Sequence, residues 1–298
     1  METFLNQARK GKTNLIRYII GILIIYFFIY IVGAAIQFIV AMAFGSSVNL
    51  GTLNISSISP LAYFVVTMCP AICGIIGVFI SVRYVHQRPF RTLITPFKNI
   101  NVKPILYGFG FFFLLLVLSD VLLYGLNPST IQFNSNNISQ FLYFLPFILV
   151  LIPLQTTSEE LTYRGYWMQG TGLLTRNFLV LALINGILFL LPHIVNPEIS
   201  AGGILAMVYY VVVGFSLAFI TLKSGTLELA IGMHAANNIY ESAIIHPQAS
   251  ILQTPSLFTQ AAIDPVYELI SIAAIMVIFY LVTFRVKPEK VLNGSYIN

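Results

Sequence analysis

Ser158-Glu159-Glu160-Leu161-Thr162-Tyr163-Arg164-Gly165 stands at the end of an apolar run, Phe141 to Pro153. Two adjacent carboxylates are out of place there. Insertion scales put a charged side chain at the centre of a bilayer helix at about 2.5–3.5 kcal/mol, so ionisable groups in such a place are read as functional. On a helix, Glu160 and Arg164 are four apart and share a face, with the acid on the favourable N-terminal side. Glu159 lies about 100° further round and lacks that partner. The doublet then holds one carboxylate in an ion pair and one available for chemistry. The plainer alternative is two interfacial glutamates ending a membrane helix.

The surrounding composition selects the fold class. The chain of 298 residues is 58% hydrophobic and 8% charged, with mean hydropathy +0.88. A soluble domain carries roughly 25% charged residues. The expectation is an all-α, polytopic membrane helix bundle with the lipid bilayer as its environment. A net charge of +5 would suggest nucleic acid in a soluble protein. Here the basic residues sit in short loops, so they are read as topology signals, and no nucleic-acid partner is expected. Cys69 and Cys73 flank Pro70 in an apolar run and are read as helix-packing residues. The apolar stretch after Arg17 is too long for a signal-peptide core and should remain as an anchor.

Working outward, about eight spans are expected: Tyr18–Phe44, Leu61–Val82, Pro104–Leu126, Gln140 into the Glu159-Glu160 motif, Phe178–Val195, Gly203–Leu222, a shorter Thr226–Tyr240, and Val266–Phe284. Most approach the roughly 20 residues that a bilayer core requires. Arg285, Lys287 and Lys290 close the last span. With both termini cytoplasmic, all fifteen Lys and Arg fall on the cytoplasmic side, as the positive-inside rule requires. The reading is of one integral membrane unit, residues 1–298, with a motif core at 155–241.

Few ionisable groups fall within these spans. Asp120 is read as interfacial or hydrogen-bonded in the bundle, and Glu241 as lining a polar entrance. Glu228 opens a helix, where an acid is favoured. His86 and His246 are read as solvated loop residues. Two histidines remain. His193 ends a span in Phe189-Leu190-Leu191-Pro192-His193, and His234 opens His234-Ala235-Ala236-Asn237-Asn238. Phe189 and His193 share a helix face, as do His234 and Asn238. A single membrane histidine is usually a satisfied bundle residue. Two histidines, an asparagine and a spare glutamate on three apolar helices must face inward and find partners.

Taken in order, Glu-Glu-x-x-x-Arg, Phe-x-x-x-His and His-x-x-x-Asn resemble the three-motif signature of the CAAX prenyl protease and bacteriocin-processing family, also called Abi. The resemblance covers about Glu159 to Asn238, with every motif position intact. It implies an intramembrane endopeptidase acting on a peptide or membrane-tethered protein. It implies Glu159 as the base that takes a proton from water and His193 as the residue that positions that water. His234 and Asn238 would face the developing oxyanion. Glu160 and Arg164 would brace the site, and Phe189 would shape its wall. Peptide maturation and bacteriocin self-immunity are the biological roles it suggests.

Peptide hydrolysis needs an activated water and oxyanion stabilisation, and these residue types suit both tasks. A metal reading competes: Glu159, His193 and His234 could hold zinc and leave one position for water. His-x-x-x-Asn is not the His-Glu-x-x-His helix of zinc proteases, so metal-independent hydrolysis without a cofactor is favoured. A non-catalytic scaffold or immunity protein that binds a partner through its spans is the competing function. A solute transporter would show internal repeats, and the sequence has none visible.

Depth raises a difficulty. At 1.5 Å per residue, Glu159 lies ~7–8 Å inside a boundary at Arg164, and His234 ~12 Å in. His193 lies ~25 Å from Arg176, by the same rise. The motifs meet only if the chain breaks between Arg164 and Asn185 and an aqueous cavity brings them to one level.

Overall fold

The computed structural model describes residues 3–49, 54–247, 250, 252, 254–260 and 264–286. Lys287 and Lys290 lie outside them. The helices are α1 (Leu15–Ala43), α2 (Pro60–Val85), α3 (Val102–Leu126), α4 (Ile138–Thr171), α5 (Phe178–His193), α6 (Pro197–Ser224), α7 (Glu228–Ile239) and α8 (Pro265–Val286). All eight expected stretches are therefore helical. Six are long and apolar enough to cross a bilayer; α5 is apolar but shorter, and α7 has 12 residues. The protein is a polytopic membrane helix bundle.

Local chemistry sets the helix starts. The side chains of Asn14, Ser59, Asn101, Asn177 and Asp264 each accept from a backbone N–H in the first turn of the helix that follows. Such caps satisfy donors that the helix itself leaves unpaired. Gly225, at φ +73°, closes α6 in the left-handed conformation. The residues between the expected spans ending at Val195 and beginning at Gly203 are in large part helical: Pro197 opens α6, and the helix kinks at Gly203 (φ +60°).

The arrangement centres on α7, which packs against α3, α4 and α6. Every residue from Glu228 to Ala236 is buried. Glycines make this possible. A β-carbon on Gly232 would lie 2.0 Å from the Ile105 carbonyl oxygen of α3, and one on Gly108 would lie 2.6 Å from the Leu229 carbonyl. The two backbones are thus in direct contact, as small residues permit between membrane helices. Gly186 of α5 and Gly214 of α6 make a second such approach.

Charge divides the two ends of the bundle. At one end the lead Phe4–Lys10, the α2–α3 connection and the end of α4 interlock. Lys12 N–H donates to the His86 carbonyl at 2.7 Å. Buried Arg88 donates to Gln169 at 2.7 Å, which donates to the Thr92 carbonyl at 2.8 Å. Leu227 N–H joins Ile94 at 2.8 Å, and Glu228 accepts from the Asn101 N–H at 2.6 Å. The other end carries short strands in connections without Lys or Arg. β1 (Ser47–Asn49) pairs antiparallel with β2 (Asn54–Ser56). β3 (Ile131–Phe133), β4 (Ile245–Pro247) and β5 (Phe258–Gln260) form a sheet with β5 central. Asp120 accepts from the Tyr240 hydroxyl at 2.6 Å, a bond within the bundle.

His86 and His246 depart from expectation: both are buried, not solvated. Their loops fold back over the bundle ends. His86 contacts the Lys12 carbonyl at 3.0 Å through Nδ1 and the Tyr166 hydroxyl at 2.7 Å through Nε2. Burial pushes its pKa down from 6.5 to about 4; the Lys12 carbonyl opposes this, while Arg88 and Arg17 add to it.

Overpacked substitutions cost about 1–3 kcal/mol, and Gly232→Ala meets backbone that cannot rotate away. It should lower the melting temperature in detergent, whereas Gly110→Ala, with nothing within 4 Å, should not. For His86 the unfolded chain takes up a proton below pH 6.5, and the folded one only below about 4. Its stabilisation is complete above pH 6.5 and is lost as pH falls toward 4. Melting curves across that window should slope less for the non-titrating His86→Gln.

Candidate active site

Glu159 and Glu160 sit in the last part of α4, where their helical offset turns them toward different surroundings. Glu160 is fully buried. Its Oε1 accepts from Arg164 at 2.8 Å and contacts His234 Nδ1 at 2.8 Å. Arg164 is also fully buried. Its Nη2 reaches the Gly214 carbonyl of α6 at 3.4 Å, and its guanidinium lies 4.3 Å from the centroid of the Phe189 ring. Such stacking and pairing are how a desolvated guanidinium is tolerated.

Glu159 keeps 24% of its side chain exposed and lines a cavity of about 390 Å³. Its Oε1 accepts from Gln155 at 2.5 Å, and its Oε2 stands 3.5 Å from His234 Nε2. His234 is therefore held between the two glutamates, Nδ1 on Glu160 and Nε2 toward Glu159. His193 closes α5 and lines the same cavity. Its Nδ1 lies 2.6 Å from the Phe189 carbonyl, and its ring stacks on Tyr210 at 4.5 Å. Phe189 separates the histidines, with centroids 4.6 Å from His193 and 5.7 Å from His234. Asn238 completes the wall and donates to Gln155 at 3.1 Å.

All four residues expected to carry chemistry thus line one cavity, and the three expected to brace it lie on or just behind its wall. The depth difficulty came from placing the helix boundary at Arg164. The ion pair lets Arg164 sit inside, and α4 continues through a widened turn, Leu161–Trp167, to Thr171. Counted from Thr171, Glu159 is ~18 Å deep, and His193 is ~24 Å from Asn177 at the same rise per residue. The break falls at residues 172–177.

Among the lining residues that carry no role in the sequence reading are Gln155, Tyr210 and Asn237. Gln155 was visible one turn before Glu159. Tyr210 lies on a span with no motif and gave no signal. Glu241 lines the cavity too and accepts from Asn237 at 2.8 Å. Among the described residues no three His, Cys, Asp or Glu side chains are grouped to hold a metal ion.

Residues 140–240, a segment that contains all three motifs, match the family model described as Type II CAAX prenyl endopeptidase Rce1-like. The chain is 34% identical over 284 residues to the uncharacterized protein YyaK of Bacillus subtilis (strain 168), covering 94% of each. The chain belongs to the Rce1-like family. At family level it is a CAAX-type intramembrane protease, a multi-pass membrane protein. No solved structure matches it.

The Glu160 contacts yield a test of their own. Removing one partner of a buried ion pair costs about 3–5 kcal/mol, because the other charge is left uncompensated. Glu160→Ala should lose that much stability in detergent melts. The double variant Glu160→Ala/Arg164→Met should recover part of it.

Proposed function

We propose that the protein cleaves a peptide bond in a peptide or membrane-tethered protein by metal-independent attack of water. Glu159 takes the proton from the water, and His193 holds that water from across the cavity through its free Nε2. His234, donating Nδ1–H to Glu160 and Nε2–H into the cavity, faces the oxyanion as it forms, together with the Asn238 amide. Glu160 fixes the His234 ring through Nδ1, and Arg164 neutralises Glu160. Phe189 spaces the two histidines. With the basic end at the cytoplasmic face, as the distribution of Lys and Arg indicates, both termini are cytoplasmic.

One observation carries this reading: a partly exposed carboxylate stands 3.5 Å from an imidazole nitrogen on the wall of a cavity inside the bundle. A water bridging two such groups is in reach of both a base and a donor. The membrane context gives the cavity a role in substrate access. Exposed apolar residues line the outer faces of the helices, so a lipid-anchored substrate can be held at the bilayer while its peptide enters. Maturation of a peptide, or self-immunity to one, are processes such an enzyme would serve.

The test uses the reconstituted full chain and a farnesylated, fluorescently quenched peptide ending in a CAAX box. General acid–base groups contribute about 10²–10⁴-fold. Glu159→Ala and His234→Ala should each lower kcat by at least the lower figure. EDTA should leave the rate of the unaltered chain within about twofold, in contrast to a catalytic zinc site, whose metal supplies the water. Full cleavage by both variants would overturn these residue roles, and full biological function retained in both without cleavage would leave a non-catalytic binding role.

A further inference from the structure

We propose that Gln155 is a positioning residue that couples Glu159 to Asn238 and sets which way the Asn238 amide points. This rests on the reading of Glu159 as base and Asn238 as oxyanion donor.

Gln155 lies one turn before Glu159 on α4, and Asn238 lies on α7. Gln155 Nε2 donates to Glu159 Oε1 at 2.5 Å, and Gln155 Oε1 accepts from Asn238 Nδ2 at 3.1 Å. The chain of bonds continues. Asn237 Nδ2 donates to Asn238 Oδ1 at 3.3 Å and to Glu241 Oε1 at 2.8 Å. Three amides thus stand in series between two carboxylates.

The chemistry of the Glu159 end fixes the middle. An ionised carboxylate only accepts, while a primary amide both donates and accepts. Glu159 therefore compels Gln155 to turn its NH₂ toward it. That leaves the Gln155 oxygen facing α7, where it can only accept. Asn238 must answer with its NH₂. The contacts at the far end agree with that order, because Asn237 presents its NH₂ to both Glu241 and the Asn238 oxygen.

Two consequences bear on catalysis. Glu159 Oε1 is occupied, so Oε2 is the atom left without a hydrogen bond, 3.5 Å from His234 Nε2. The Asn238 NH₂ has two hydrogens, and Gln155 uses one. The other remains for a carbonyl oxygen gaining charge. Without Gln155 the Asn238 amide is free to flip and turn its own oxygen toward that charge, where a donor is needed. Gln155 itself need not touch substrate.

Gln155→Met keeps length and volume but removes donor and acceptor together. It is assayed beside Glu159→Gln and the unaltered chain on the same farnesylated CAAX peptide, with kcat and KM separated and melting temperatures recorded. Support requires that Gln155→Met lose ~10–100-fold in kcat, the usual scale for an orienting partner, with KM changed less than about twofold and the melting temperature unmoved. A merely structural role would lower the melting temperature and leave kcat of the folded fraction intact, and would overturn the proposal. Wild-type kcat in Gln155→Met with Glu159→Gln inactive overturns the role of Gln155 alone. Activity in Glu159→Gln, or none in the unaltered chain, removes the reading on which it rests.

Discussion

Glu160 is a carboxylate with no exposure, held by a guanidinium one turn ahead and an imidazole from another helix. Burying it alone would cost several kcal/mol. Arg164 and His234 offset that cost, and in doing so they tie three parts of the bundle together. Arg164 stacks on Phe189 of α5 and reaches the Gly214 carbonyl of α6. His234 brings α7. Every motif therefore contributes to one contact cluster, whose centre is a charge that cannot be left unpaired.

That cluster demands that α7 enter deep into the bundle carrying polar groups. A helix of 12 residues with a histidine and two asparagines is a poor membrane span by itself. It persists because α3, α4 and α6 surround it and because Gly232 and Gly108 let the backbones touch. The polar groups are then satisfied by one another and by α4, not by lipid or bulk water. Packing by small residues and satisfaction of buried polar groups are here one requirement: a side chain at Gly232 would push α7 out and strand His234.

Much of this was legible in the sequence. Eight stretches of apolar residues foretold eight helices, because burial in lipid leaves a strong compositional trace. The i, i+4 spacing of Glu160 and Arg164 foretold their pairing, since that bond is local to one helix. What was not legible depended on distant chain. A charge reads as a helix boundary, yet α4 runs past Arg164, and nothing local reveals that Arg164 has Phe189 and Gly214 beside it. His86 and His246 were read as solvated because loops are usually wet, whereas these fold back and bury both rings. Tyr210, stacked on His193, belongs to no motif, and only the α5–α6 crossing at Gly186 and Gly214 brings it there.

The two neighbouring glutamates differ for a geometric reason. A rotation of about 100° between successive residues turns Glu160 toward Arg164 and α7, and Glu159 toward the cavity. Glu160 has a guanidinium and an imidazole within 2.8 Å, both on Oε1, and no exposure. Glu159 has an amide on one oxygen, an imidazole 3.5 Å from the other, and a quarter of its surface open. A carboxylate with no exposure cannot reach a water in the cavity. One that faces an amide and a cavity can. The same residue type thus performs two tasks at adjacent positions, and the helical repeat alone assigns which is which.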